Sequence, residues 1–227
     1  MIRLYHRWSS MAAQQIRLAL HYKSITFDSI PLAQSDDNIW FELGIARADM
    51  ALQIPGQPIH TDALTTLRNL DNWLVGTTPI FNSLIDDAAW QALLAWHDSV
   101  HHLRERLYAP VLPAFSDIGA HENDMASYKA DVLHRYGMSV EALSNDRYDG
   151  FIQLAAQSHL NQLGQHLARQ RFYLNSTFSA CDILIACDLF PLQLLDGVTM
   201  PLDLMYYIQR VESACNTSLR AGLITQH

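Results

Sequence analysis

Hydrophobic periodicity changes once along this chain, near residues 76–79, and that change limits the folds open to it. Before it, short runs of β-branched and aromatic residues alternate with apolar residues spaced three and four apart; after it, nearly every segment has helical spacing. Strands alternating with helices predict a βαβ unit, and an all-helical remainder predicts a separate bundle. Residues 2–6 form the first strand, and Ser9-Ser10 then lead into a helix through Ala12, Ala13, Ile16, Leu18, Ala19 and Leu20. Residues 25–32 form a second strand closed by Pro31, with a short helix over 40–46. Two short strands, 50–54 and 57–60, flank Pro55-Gly56, a pair suited to the centre of a type II turn. Pro58 has no N–H for a ladder, which sends the second of these strands to a sheet edge. Leu64, Leu67, Leu70 and Leu74 then share one helix face. The reading is β-α-β-α-β-β-α over 1–77, a linker at 76–79, and helices across 84–227: 88–108, 124–136, 148–170, 179–195 and 202–214.

A chain of 227 residues with 49% hydrophobic content can bury a sizeable core. A net charge of -8 argues against nucleic acid or an anionic membrane surface as partner, since both call for clustered Lys and Arg. No apolar run spans a bilayer, and Arg3, His6 and Arg7 interrupt any leader-like start, so the cytoplasm is the expected location. Cys181, Cys187 and Cys215 match neither a redox pair nor a zinc spacing, and Cys181 and Cys187, set among Ile183, Leu184, Ile185 and Leu189, read as small buried hydrophobes. Catalysis in the first 80 residues therefore does not use a protein thiol.

Two helix starts stand out. Thr61-Asp62 precede the helix of Leu64, where unpaired N–H groups and the dipole favour anions, but Asp62 as cap puts its own negative charge there. Ser179 and Asp182 form a capping box, with Phe178 and Ile183 as a hydrophobic staple. His97 and His101, four apart on the long helix, are either half of a metal site or a solvated or interface face. Trp40, Trp90, Trp96, Tyr108 and Phe115 are either pocket-lining or core.

The Ser-x-x-Asp box three quarters of the way along resembles the helical domain of cytosolic glutathione S-transferases. Ile16-Arg17-Leu18-Ala19-Leu20 is similar to that family's first helix, 50–70 to its third and fourth strands and third helix, and 201–220 to its last helical stretch. The resemblance implies an α/β thioredoxin-like N-terminal domain, an all-α C-terminal domain and a homodimer. It further implies glutathione as co-substrate, whose thiolate attacks a small apolar electrophile. The family stabilises that thiolate with Tyr, Ser or Cys near the start of the first helix, which points to Ser9 and Ser10 here, with Tyr5 next. Either serine is equally suited to cap the helix, and an ungapped register puts Ala12 and Ala13 at the family's reactive position. Glutathione-binding positions carried over are Trp40, Met50 (where the family has a cis-proline), Ala51, Thr61 and Asp62. Met50 and Asp62 depart from the family pattern and support an alternative: a non-catalytic protein of this fold acting as a ligand-binding or protein-interaction module.

Overall fold

The computed structural model describes residues 1–174 and 176–224. Strands β1 (Ile2–His6), β2 (Phe27–Pro31) and β3 (Met50–Gln53) form a sheet in the order β2-β1-β3. β1 and β2 are parallel, with Leu4 beside Ser29, and helix α1 (Met11–Tyr22) makes the crossover between them. β3 is antiparallel to β1, pairing Leu4 with Leu52 and Tyr5 with Ala51. Side chains alternate across a strand, so Leu4 and Leu52 enter the main core while Tyr5 and Ala51 pack on the other face with Leu32 and Trp40. Helix α2 (Asn38–Glu42) covers that second face through Trp40.

The first face is covered by α1 and α3 (Ala63–Trp73). α1 is buried at every position from 13 to 20 because helix α10 (Ala180–Leu189) packs against it from the helical half. α10 is itself buried at all ten positions, and its start is the Ser179–Asp182 capping box. The remaining helices are α4 (Asp87–Tyr108), α5 (Ser116–Gly119), α6 (Glu122–Tyr136), α7 (Val140–Asn145), α8 (Arg147–Gln157), α9 (Leu160–Arg169) and α11 (Leu202–Cys215). All three cysteines are buried and free. No described helix is long and apolar enough to cross a membrane.

Three expectations are corrected. The second arm of the hairpin is no strand: His60 alone exchanges N–H···O bonds with Leu52, at 2.8 and 3.0 Å, because Pro58 cannot continue the ladder. The helix read over 148–170 breaks at His159, whose φ of 52° is left-handed, and the Ser158 hydroxyl bonds back to the Leu154 carbonyl at 2.6 Å. α10 stops at Leu189 and continues as a tighter turn over Phe190–Leu194, where Pro191 supplies no helical N–H. The 76–79 linker is pinned from beneath by Lys23, which donates to Asp71, Thr77 and Thr78. Near the end of the chain, Gly222 (φ 85°) lies against the Trp8 ring so closely that a Cβ there would sit 2.2 Å from it.

Candidate active site

Between the sheet domain and the helical domain runs a cleft of about 800 Å³. Its sheet-side wall is the start of α1 with Arg7, the loop at Gln34, the segment 47–49 and the start of α3. Its helical-side wall is α4, α6 and Asp188 of α10. α1 follows the His6 end of β1, and the return of the chain past Leu52 at His60 brings the start of α3 to the same end of the sheet; these helix starts carry unpaired N–H groups toward the opening.

Ser9 and Ser10 both line this cleft, and their chemistry differs. Ser9 donates its hydroxyl to Asp117 Oδ2 at 2.6 Å and its N–H to Oδ1 at 3.1 Å, so its single O–H proton is committed to α5. Burial pushes the Asp117 carboxyl up, and the Ser9 hydrogen bonds act against that rise. Ser10 is the N-cap of α1 and accepts the Ala13 N–H at 3.1 Å. A hydroxyl that accepts still has its own proton to donate, so Ser10 caps the helix and keeps a donor for the cleft. Capping and ligand binding are thus compatible at Ser10.

Thr61 and Asp62 also line the cleft, with Asp62 capping α3 through a 2.7 Å bond from the Thr65 N–H. Met50 is fully buried in the main core, Ala51 is fully buried against Tyr5, and every described peptide bond is trans. Tyr5 and Trp40 lie outside the cleft lining, packed together beneath the sheet, because alternation along β1 turns Tyr5 away from α1. Trp90 and Phe115 are core, Trp96 lines a separate cavity of about 270 Å³ with His166 and Tyr173, and Tyr108 reaches the cleft. Arg17 is spent within the fold, donating to Gln14, Thr217 and Ser218.

Several cleft groups carry no local sequence signal. Gln15, on the second turn of α1, is buried, and its Oε1 has no hydrogen-bond partner among the described residues. On the opposite wall Asp188 is held by the Arg104 guanidinium and lies 2.7 Å from His97 Nδ1. Arg104 Nε is a second buried group with no partner among the described residues. His101 faces Glu105 at 3.5 Å, and no group of three or more potential metal ligands exists among the described residues. A helix start with a free hydroxyl, a buried amide with an open acceptor and a buried guanidinium with an open donor suit a polar organic ligand.

No family sequence model and no curated protein matches the chain. Solved structures do. The chain is similar to glutaredoxin 2 from Salmonella typhimurium, a structure in complex with glutathione, at 16% identity over 99% of each chain with a TM-score of 0.78. It is similar to a glutathione S-transferase of Ceriporiopsis subvermispora, also in complex with glutathione, at 15% identity over 94% of this chain and 97% of that one, TM-score 0.73. A glutathione S-transferase from Rhodospirillum rubrum is 18% identical over 99% of this chain and 94% of that one, TM-score 0.65. The fold is therefore that of the glutathione S-transferases, a thioredoxin-like domain followed by an all-α domain.

Proposed function

We propose that this chain, with its glutathione S-transferase-like fold, binds glutathione in the interdomain cleft and transfers its thiolate to a small electrophile. The observation that carries the reading is Ser10, a helix cap whose remaining O–H donor borders a cleft of about 800 Å³. A free thiol is only a few per cent ionised at neutral pH, and a hydroxyl donor beside a helix start stabilises the sulfur anion. The cleft is within the size range of small-molecule sites, and the open Gln15 and Arg104 atoms give a peptide-like ligand an acceptor and a donor to meet. As in relatives of this fold, the protein is read as a homodimer.

Asp62 favours a second reading. Its exposed carboxylate occupies the α3 start, where a ligand carboxylate would otherwise bind, so a non-catalytic binding module of the same fold is the alternative.

Calorimetry with millimolar glutathione, on the native chain and on Asp62→Ser, separates the two, and light scattering reports the dimer. Heat from the native chain supports the enzyme, whereas heat only from Asp62→Ser assigns the loss to that carboxylate. Ser10→Ala should lower kcat toward an aryl halide by about 10²-fold, as for removal of one oxyanion donor, and lower stability by about 1 kcal/mol through the lost cap. Ser10→Thr restores both. An unchanged kcat in Ser10→Ala removes Ser10 from the chemistry.

A further inference from the structure

The cavity of about 270 Å³ that Trp96 borders lies in the helical half and shares no lining residue with the interdomain cleft. It opens where α8 gives way to α9. Ser158 ends α8, His159 turns left-handed, and both border the cavity, as do Leu163 and His166 one and two turns further on. Glycine is the usual occupant of that left-handed position, and a larger residue held there against backbone strain is the kind of feature that gathers at ligand sites. His159 and Gln162 are exposed at the mouth, while buried Leu93 and Ile185 and the half-buried Trp96 and Tyr173 rings form the walls. The polar groups divide into spent and open. The Ser158 hydroxyl donates to the Leu154 carbonyl at 2.6 Å, and the Trp96 indole N–H donates to the Ser158 carbonyl at 3.2 Å. His166 Nε2 lies 2.8 Å from the Tyr173 carbonyl. A carbonyl only accepts, so Nε2 carries the proton, and Nδ1 of the neutral ring is an acceptor. Neither His166 Nδ1 nor the Tyr173 hydroxyl has a hydrogen-bond partner among the described residues, and the two rings meet edge to face at 5.6 Å. Burial pushes the Tyr173 phenol up, so it keeps its proton.

We propose that this cavity is a second small-molecule site, apart from the cleft, and that its ligand is an uncharged phenol of two fused rings. Size sets the rings: a cavity of about 150 Å³ holds one benzene, and this one is nearly twice as large. Charge is excluded because no Lys, Arg, Asp or Glu borders the cavity among the described residues, and a charge withdrawn from water there would go unpaired. The open groups set the hydroxyl. One O–H both donates and accepts, so it gives its proton to His166 Nδ1 and takes that of Tyr173. An apolar pocket with a few placed polar groups is the common form of a small-molecule site. Glutathione and the cleft have no part in it.

Calorimetry of the native chain with 2-naphthol, and with 2-fluoronaphthalene as a probe of similar shape that lacks the O–H, tests the chemistry. 2-Naphthol should bind about tenfold more tightly, the worth of one good hydrogen bond in a dry site. His166→Leu should remove that preference by weakening 2-naphthol alone, which a purely structural role for His166 would not do. Place is read by NMR on nitrogen-15-labelled protein, where 2-naphthol should shift the indole N–H signal of Trp96, assigned with Trp96→Phe, more than those of the other four tryptophans. Leu163→Trp fills the cavity from a half-buried position and should abolish the heat, with far-UV dichroism confirming the fold. Absence of heat with millimolar 2-naphthol overturns the proposal, as do equal affinities for the two probes or a largest shift at another tryptophan. These three readouts use the native chain, so they decide the matter even where a variant fails to fold.

Discussion

Lys23 and Asp71 offer the sharpest test of how the two halves of this molecule are joined. Their side chains are 0% and 5% exposed, and Lys23 Nζ spends all three donors, on Asp71 Oδ1 at 2.5 Å, Thr78 O at 2.8 Å and Thr77 Oγ1 at 3.1 Å. Asp71 also accepts the N–H groups of Ile80, Phe81 and Asn82, which fixes the path of the chain between α3 and α4. Lys23→Met keeps most of the stem's packing but leaves a buried carboxylate without its counter-charge, a loss of about 3–5 kcal/mol. With a urea m-value of about 3 kcal/mol/M, the unfolding midpoint falls by about 1–1.7 M. Asp71→Asn should lose a similar amount. The double variant should lose much less than the two together, since neither charge is then stranded. Burial alone would raise the Asp71 carboxyl, but the Lys23 ammonium and the three N–H groups outweigh it and hold the group below its ordinary range. A depressed carboxyl contributes stability above its unfolded value near 4, and that contribution is lost as pH falls through the lower folded value. The native midpoint should therefore drop below about pH 4, with that component absent from Asp71→Asn. Urea unfolding followed by tryptophan fluorescence and far-UV dichroism reads all of this. A midpoint shift under about 0.3 M in Lys23→Met, or strict additivity in the double variant, would refute the argument.

Two further predictions concern buried groups elsewhere. Asp182 accepts from the Ser179 N–H (2.9 Å), the Ser179 hydroxyl (3.1 Å), the Tyr173 N–H (2.7 Å) and the Tyr207 hydroxyl (2.7 Å). Asp182→Ala strands these donors in the core and should lower stability by about 3–6 kcal/mol; a loss below about 1 kcal/mol would contradict the network. His6 is fully buried, and burial first, then the Arg17 charge, lowers its pKa to about 4. The unfolded chain protonates first, so stability is lost as pH falls from about 6.5 toward 4, by up to about 3 kcal/mol. His6→Gln should remove that part of the slope, and an NMR titration placing His6 near 6.5 would sink the prediction.

Much of this fold was legible in the sequence because the deciding interactions are local. The 3.6-residue spacing of Leu64, Leu67 and Leu70 and the caps at Asp62 and Ser179 each depend on neighbours within about four residues, and the structure contains them as read. The hairpin arm at 57–60 failed as a strand because Pro58 has no N–H to carry the ladder on from His60, so the Leu52–His60 bridge stands alone. The site was less legible. That Ser9 or Ser10 enters a helix was evident, but which of them keeps a free hydroxyl was decided by Asp117, 108 residues away from Ser9. Tyr5 and Trp40 looked like site residues until the sheet's alternation turned them into a second core.

Local order alone therefore determined strands β1 to β3, most of the helices and the two capped helix starts, because backbone hydrogen bonding and apolar periodicity act over a few residues. Only tertiary packing decided that Lys23 meets Asp71, that His97 meets Asp188 across 91 residues, and that the starts of α1 and α3 open on one cleft. Those pairings are set by burial. A charged or polar group withdrawn from water must find a partner wherever the fold brings one, and sequence spacing does not encode where that is.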